Sequence, residues 1–159
     1  MAKLKEFQRD TAALEGGVWI NPDPDFSDIQ LLVRGRDAAY YDKYTVAIRE
    51  VVRRAKRDGT LQSNQGLNDL PPSTRDNIEN EVMLQHYILD VRNLEDDDGP
   101  VKIAEFRKMA ITEQFRPLLS MAQTAFLMAT ERRAADREEV LGNSKPSRPT
   151  SSRGAAQKA

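Results

Sequence analysis

The sequence contains no cysteine and a single histidine among its 159 residues. The absence of cysteine excludes disulfide bonds, thiol catalysis, thiolate-bound zinc and cysteine-held iron–sulfur clusters. The one histidine, His86, has no second histidine or cysteine with which to share a metal ion or a proton. We therefore interpret His86 as an ordinary helix-surface or boundary residue.

Long apolar runs and glycine-rich nucleotide motifs are missing as well. No stretch reaches the roughly 18 consecutive apolar residues of a membrane-spanning helix, and residues 1–7 lack the apolar segment of a signal peptide. Gly16-Gly17 and Arg34-Gly35-Arg36 form neither a dinucleotide fingerprint nor a P-loop. We expect no membrane segment, no catalytic residue, no metal ion and no cofactor, so the protein is predicted not to be an enzyme.

Charge is plentiful, but it is distributed unevenly. Charged residues make up 31% of the chain and hydrophobic residues 39%, a balance typical of one modest core under a well-solvated surface. Residues 140–159 contain four basic residues and no acidic one, so removing these charges from the net charge of −1 leaves −5 on residues 1–139. Few bulky side chains occur in this segment. We predict one folded domain over residues 1–139 and a disordered basic tail over residues 140–159.

Two hydrophobic patterns divide the predicted domain. Up to residue 36, short apolar runs flank residues 21–25, Asn-Pro-Asp-Pro-Asp, which favour a turn rather than a pair of catalytic carboxylates. This pattern predicts two or three strands in a small antiparallel sheet. Over residues 37–139 the apolar residues recur at helical spacing. The expected fold is α+β and mainly α, with a small N-terminal sheet followed by a bundle of three to four helices.

The first two predicted helices have recognisable ends. Asp37 is the expected N-cap of the first helix, and Asp58-Gly59 its stop. Its inward stripe is predicted to contain Tyr41, Tyr44, Ile48, Val51, Val52 and Ala55. The second helix is expected to open with a capping box between Ser73 and Asp76, and to fade near Asn93. Its inward residues would include Ile78, Val82 and Leu89.

The last helical region is predicted over residues 104–139, with an interruption near Arg116-Pro117 because proline disfavours the helical conformation of the preceding residue. Its apolar stripe is normally core, yet it carries methionines, whose flexible side chains suit surfaces that accept a partner. The predicted partner-binding residues are Phe115, Leu118, Met121, Phe126 and Met128.

The acidic loop at residues 95–98 partly matches a calcium-binding loop. Asp96, Asp98 and Glu105 fall at positions 3, 5 and 12 of an EF-hand. Position 1 would be Leu94, however, and position 9 would be Lys102, which places a positive charge at the cation site. A solvated turn between helices is the simpler interpretation.

Phosphate binding is the main alternative to protein–protein binding among the functions that need no catalysis. The basic tail and the first helix could both bind phosphates, because clustered cations release counterions from nucleic acid. The cations of the helix are Arg49, Arg53, Arg54, Lys56 and Arg57. Acidic residues lie among these cations, and the sequence pI is about 5.9. The sequence contains no obvious nucleic-acid recognition motif.

Three stretches resemble the tail assembly chaperones of long-tailed, siphovirus-like bacteriophages and prophages. Residues 17–20, Gly-Val-Trp-Ile, and residues 32–40, Leu-Val-Arg-Gly-Arg-Asp-Ala-Ala-Tyr, are similar to the opening of that family. Residues 91–94 with the acidic loop and residues 99–101 resemble the loop after its middle helix, although Val91 stands where a tryptophan is expected. Residues 115–119, Phe-Arg-Pro-Leu-Leu, resemble its final helix.

The resemblance implies a role in virion assembly in the host cytoplasm, without covalent chemistry. Such a protein keeps the tape-measure protein soluble, brings tail-tube protein to it, and is absent from the finished virion. A homo-oligomer is compatible with the sequence. The alternatives are a structural head–tail connector or minor virion protein, which would remain in purified particles, and a nucleic-acid-binding accessory protein, whose affinity would fall steeply with salt.

Overall fold

A computed structural model of the chain describes residues 15–142, with side chains described as far as residue 138. The strands are β1 (Val18–Ile20), β2 (Gln30–Val33), β3 (Ile88–Arg92), β4 (Glu95–Asp96) and β5 (Gly99–Pro100). The helices are α1 (Ala38–Arg57), α2 (Pro72–His86), α3 (Ile103–Ala110) and α4 (Arg116–Gly142). The fold is therefore α+β and mainly helical, with a small antiparallel sheet, as the sequence predicts.

The main sheet has the order β1-β2-β3, and both strand pairs are antiparallel. The turn between β1 and β2 is held by Asn21, whose Oδ1 accepts a hydrogen bond from the Asp23 N–H at 3.0 Å and whose Nδ2 donates one to the Ser27 carbonyl at 2.9 Å. This pattern confirms that residues 21–25 serve a turn. One face of the sheet is buried through Ile20, Leu31, Val33, Ile88 and Val91.

The third strand corrects the predicted division into a sheet up to residue 36 and helices after it. Residues 88–92 pair with β2, with Leu31 opposite Val91 and Val33 opposite Ile88, whereas the sequence predicted that α2 continues to Asn93. Leu89 is consequently a strand residue and only half-buried. The sheet and the helices share one core, which includes Ile78, Val82, Phe106 and Ala122.

Helix α1 begins and ends where the sequence places it, but its contacts differ. Asp58 follows the last helical residue, and Gly59 has φ of +79°, the left-handed conformation that suits glycine at a helix end. Asp37 occupies the N-cap position but makes no side-chain cap bond. Its carboxylate instead accepts a hydrogen bond from the buried Tyr87 hydroxyl. Tyr40 is the buried residue of the helix, and Tyr41 is 61% exposed, so the inward stripe begins one residue earlier than predicted.

The other helices show three further differences from the sequence-based expectations. Helix α2 begins at Pro72 with no side-chain cap bond, so Ser73 lies within the first turn instead of capping it. The interruption of the last helical region is confirmed, and it occupies the residues between Ala110 and Arg116, with Pro117 in the first turn of α4. The backbone of α4 continues to Gly142, three residues beyond the predicted domain end at 139. The rest of the predicted basic tail lies outside the described residues.

Candidate functional site

A groove runs between the N-terminal end of α1 and one face of α4, and we call it the α1–α4 groove. It has two adjoining sections that share Arg36 and Thr130. The apolar section has a volume of about 290 Å³ and is lined by Arg36, Tyr40, Glu79, Asn80, Met83, Gln123, Phe126, Leu127 and Thr130. The basic section has a volume of about 860 Å³ and is lined by Arg36, Asp37, Ala38, Tyr41, Thr130, Arg133, Ala134, Arg137 and Glu138.

Three aromatic rings support the apolar section: Tyr40 of α1, Phe126 of α4, and Tyr87 between α2 and β3. The centroids of Tyr40 and Phe126 lie 5.9 Å apart, those of Tyr40 and Tyr87 5.5 Å, and those of Tyr87 and Phe126 5.3 Å. Edge-to-face and tilted pairs at these distances attract one another beyond the burial of their surfaces. Burial moves the pKa of Tyr40 and of Tyr87 further above neutrality, so neither ring adds a negative charge to the groove floor.

Tyr87 ties this aromatic cluster to the start of α1. Its ring is fully buried, and its hydroxyl donates a hydrogen bond to Asp37 Oδ1 at 2.6 Å. A buried hydroxyl without an acceptor would be costly, which explains why the Asp37 carboxylate turns toward Tyr87 instead of capping α1. Burial is the largest cause of the raised Tyr87 pKa, and the hydrogen bond to Asp37 raises it further.

Arg36 stands at the junction of the two sections. Its guanidinium carbon lies 4.4 Å from the centroid of the Tyr40 ring and 5.7 Å from that of Phe126, distances at which cation–π attraction operates. The Arg36 N–H donates a hydrogen bond to Thr130 Oγ1 at 3.0 Å, which fastens this segment to α4. A positive charge is thus held beside the apolar floor.

The close approach of this segment to α4 depends on Gly35. A Cβ atom at this position would lie 2.6 Å from the carbonyl oxygen of Ala129 and 2.9 Å from its carbonyl carbon. Both are backbone atoms, which cannot rotate away as a side chain can. Gly35 therefore sets how closely the two walls of the groove approach each other.

The walls of the groove carry exposed apolar groups. Tyr41 is 61% exposed on α1, and Leu127 is 57% exposed on α4. At the rim of the apolar section, Gln123 Nε2 donates a hydrogen bond to Asn80 Oδ1 at 2.9 Å and links α4 to α2. An apolar floor with a polar rim is the usual composition of a protein-binding surface.

The five predicted partner-binding residues do not form one exposed surface. Phe126 is only 8% exposed and belongs to the aromatic floor, so its exposed portion is small. Leu118, Met121 and Met128 are half-buried, and Phe115 is 38% exposed in the short helical turn before α4. Their role in binding a partner stays a prediction. Of the five, the α1–α4 groove contains Phe126 alone.

Sequence reasoning missed the residues that form most of the groove, including Arg36, Tyr40, Leu127, Arg133 and Arg137. One signal was present: Leu127, Thr130, Ala134 and Arg137 recur at helical spacing on α4 and define a face next to the buried stripe. Nothing in the spacing of residues along the chain indicates that this face lies against the start of α1.

The acidic loop folds as a tight hairpin of β4 and β5. Asp96 Oδ1 accepts a hydrogen bond from the Asp98 N–H at 2.9 Å, and Glu105 Oε2 accepts one from the Lys102 N–H at 3.0 Å. The proposed twelfth ligand of a calcium loop thus caps the start of α3. Among the side chains of residues 15–138, the structure brings together no group of three or more histidine or acidic residues that could hold a metal ion.

His86 is the last residue of α2, and its side chain is exposed. Partial desolvation lowers the pKa of His86 below its usual range, and the charges of Lys43, Arg107 and Arg34 lower it further. Among the described residues, no carboxylate forms a hydrogen bond with the His86 imidazole. This environment keeps the imidazole neutral at neutral pH, without the orienting acid of a catalytic dyad.

The basic residues of α1 are exposed, and two of them have partners. Arg53 forms an ion pair with Glu50 at 3.2 Å, and Lys56 Nζ donates a hydrogen bond to the Ser63 carbonyl at 2.9 Å. Arg49, Arg54 and Arg57 are exposed without an ion pair to another described residue. This arrangement is typical of a solvated helix face.

In the part of the chain that the structure describes, no helix has the length and apolarity needed to cross a lipid bilayer. Comparisons with protein-family models, curated proteins and solved structures found no match for this chain.

Proposed function

We propose that this chain is a tail assembly chaperone of a long-tailed bacteriophage or prophage. In this role it binds the tape-measure protein, keeps it soluble and helps to bring tail-tube subunits to it. The work is done by protein–protein binding, without catalysis. The protein acts in the host cytoplasm and leaves before the virion is complete.

The observation that carries the protein-binding part of this proposal is the α1–α4 groove. It combines a buried aromatic floor with exposed apolar groups, Tyr41 and Leu127, on its walls. Burying such groups against a partner is favourable because it removes apolar surface from water. A long, mostly helical client such as a tape-measure protein offers apolar segments that need this cover before assembly.

The identity of the client comes from the resemblance in sequence. The segments that resemble the chaperone family lie on β1, at the passage from β2 into α1, at the end of β3 with the β4–β5 hairpin, and at the start of α4. Arg36, between β2 and α1, contributes to the groove.

Co-expression of the full chain with the tape-measure protein of the same gene cluster tests the proposal. We expect the tape-measure protein to become soluble and to be captured with this chain. A tape-measure protein that is soluble without this chain and does not co-purify with it would contradict the proposal. Detection of this chain in purified virions would favour the connector.

Matched variants connect this test to the groove. The double substitution Tyr41→Asp and Leu127→Asp places charges on both walls, and we expect it to abolish capture and solubilisation. The control, Phe26→Asp with Val46→Asp, changes two exposed apolar residues, 84% and 64% exposed, that line neither section of the groove. It should behave as the unmodified chain.

A further inference from the structure

We infer that the α1–α4 groove binds an acidic amphipathic helix of the partner, which places an apolar side chain in the apolar section and carboxylates in the basic section. The inference rests on the proposed function only in taking protein binding as the role of the groove. It adds the chemistry and the orientation of what binds.

The length of the groove suits a helix. Gln123 lines one end and Arg137 the other, and these residues are separated by 14 positions on α4, a rise of about 21 Å. About four turns of a second helix cover that distance. A groove of this length, open along its side, matches the way in which amphipathic helices bind to hydrophobic surfaces.

The apolar section is expected to bind the end of the partner helix that carries apolar side chains. Its floor is formed by Tyr40, Met83 and Phe126, which are buried within the protein, while Leu127 stands largely exposed on the wall. An aliphatic or aromatic side chain placed here would cover Leu127 and the accessible edge of the floor. The nearby hydrogen bond between Gln123 and Asn80 closes the rim without adding charge.

The basic section is expected to bind carboxylates at the opposite end of the partner helix. Arg36, Arg133 and Arg137 line it, and neither salt bridge between described residues involves any of them. The same section contains two carboxylates, Asp37 and Glu138, and Asp37 accepts the Tyr87 hydroxyl, so three positive charges stand against two negative ones. The section therefore presents an excess of positive charge, which attracts acidic groups and fixes their orientation.

The net charge of residues 1–139 favours a short acidic helix over a nucleic acid as the ligand of the groove. Residues 1–139 carry a net charge of −5, so the three arginines form a local positive region on an acidic domain, separate from the four basic residues of segment 140–159. A nucleic acid extends its phosphates well beyond such a region and meets the repulsion of the remaining surface. A helix of four turns can confine its carboxylates to the basic section.

The direct test measures binding of the full chain to two fluorescein-labelled helical peptides by fluorescence anisotropy. The first peptide has leucines at i and i+4 near one end and glutamates on the same face near the other. The second has glutamine in place of each glutamate. We expect the glutamate peptide to bind about five- to tenfold more tightly, because two exposed ion pairs contribute about this factor.

Variants of the chain test whether the higher affinity for the glutamate peptide comes from the basic section. The double substitution Arg133→Gln and Arg137→Gln should remove the preference for glutamate and leave affinity for the glutamine peptide unchanged. The control, Arg49→Gln with Arg57→Gln, removes the same charge from exposed positions outside the groove and should keep the preference. Leu127→Asp should weaken binding of both peptides.

Three outcomes would overturn the inference. The first is equal binding of the two peptides, and the second is equal effects of the groove and control double variants. The third is a DNA duplex that displaces the glutamate peptide and loses affinity in the Arg133→Gln, Arg137→Gln variant but not in the control. If the tape-measure protein still co-purifies in any of these cases, the proposed function stands and the binding chemistry of the groove is different.

Discussion

At the scale of single residues, the groove depends on a glycine that the sequence offers no obvious reason to require. Gly35 follows β2 and permits the backbone of α4 to approach at Ala129. Glycine patterns in a sequence are usually searched for turns and phosphate loops, and this glycine serves neither. Its role follows from the contact between Gly35 and Ala129, which are 94 positions apart. A local sequence pattern cannot predict a contact over that separation.

Gly35→Ala should destabilise the protein by about 1–3 kcal/mol, because the added methyl group overlaps backbone atoms of Ala129 and forces α4 outward. Urea unfolding followed by circular dichroism measures the change. The matched control is Gly16→Ala, where an added Cβ meets nothing within 4 Å. Equal stability of the two variants would show that the close approach at Gly35 is not required.

The hydrogen bond between Tyr87 and Asp37 gives a second prediction at this scale. Tyr87→Phe leaves the Asp37 carboxylate without its donor and should lower the free energy of unfolding by about 1.5–3 kcal/mol. Tyr41→Phe removes an equivalent hydroxyl from an exposed ring and should change it by less than about 0.5 kcal/mol.

A double-mutant cycle isolates this bond from other effects of the substitution. In an Asp37→Ala background, Tyr87→Phe should cost clearly less than in the unmodified chain. The same cost in both backgrounds would mean that the hydroxyl contributes through packing or through another partner.

At the scale of elements, the sequence predicts best where the determining interactions are local. The end of α1 at Asp58-Gly59, the turn at residues 21–25 and the interruption before Pro117 all follow from residue types next to the element concerned. Each was placed correctly or within a few residues. Their positions are fixed by backbone preferences that act over one turn.

Strand β3 was missed because its residues also fit a helix. Leu84, Tyr87, Ile88 and Val91 recur at the three- and four-residue spacing of a continued α2, and all four are buried. The structure ends α2 at His86 and uses Ile88 and Val91 to pair with β2. The deciding factor is a neighbouring strand more than 50 positions earlier in the chain, so periodicity alone could not distinguish the two outcomes.

The hairpin of β4 and β5 leads to a prediction about calcium. Because Glu105 caps α3 and Asp96 holds its own turn, calcium should not change the thermal unfolding midpoint. Glu105→Ala should destabilise the protein by about 0.5–1 kcal/mol through loss of the cap, whether or not calcium is present. Lys108→Ala, an exposed position on the same helix, is the control.

The calcium interpretation predicts a different pattern. Calcium would then raise the unfolding midpoint of the unmodified chain and of Lys108→Ala, but not that of Glu105→Ala. Differential scanning calorimetry with calcium and with a chelator distinguishes the two interpretations.

At the scale of the whole molecule, stability should be concentrated at the centre of the sheet. Strand β2 is hydrogen-bonded on both sides, and Leu31 and Val33 are fully buried. The last turn of α1, by contrast, carries the exposed Arg54 and Arg57. Regions with many buried apolar contacts open only with global unfolding, whereas exposed helix ends open locally.

Native-state hydrogen exchange measured by NMR tests this distribution. The amides of β2 should exchange most slowly, at rates that follow the global unfolding free energy, and those of the last turn of α1 should exchange orders of magnitude faster. Comparable protection in the two regions would mean that α1 is supported along its whole length by contacts that its exposure does not suggest.

The order of the strands also affects how the chain emerges from the ribosome. Val33 of β2 pairs with Ile88 of β3, and these residues are 55 positions apart. At a synthesis rate of about 5–20 residues per second, the β1–β2 hairpin waits about 3–11 s for its third strand. During that interval the edge of β2 that later pairs with β3 has no hydrogen-bonding partner. Unpaired strand edges favour aggregation, so we expect chaperones of the producing cell to bind the nascent chain at β2.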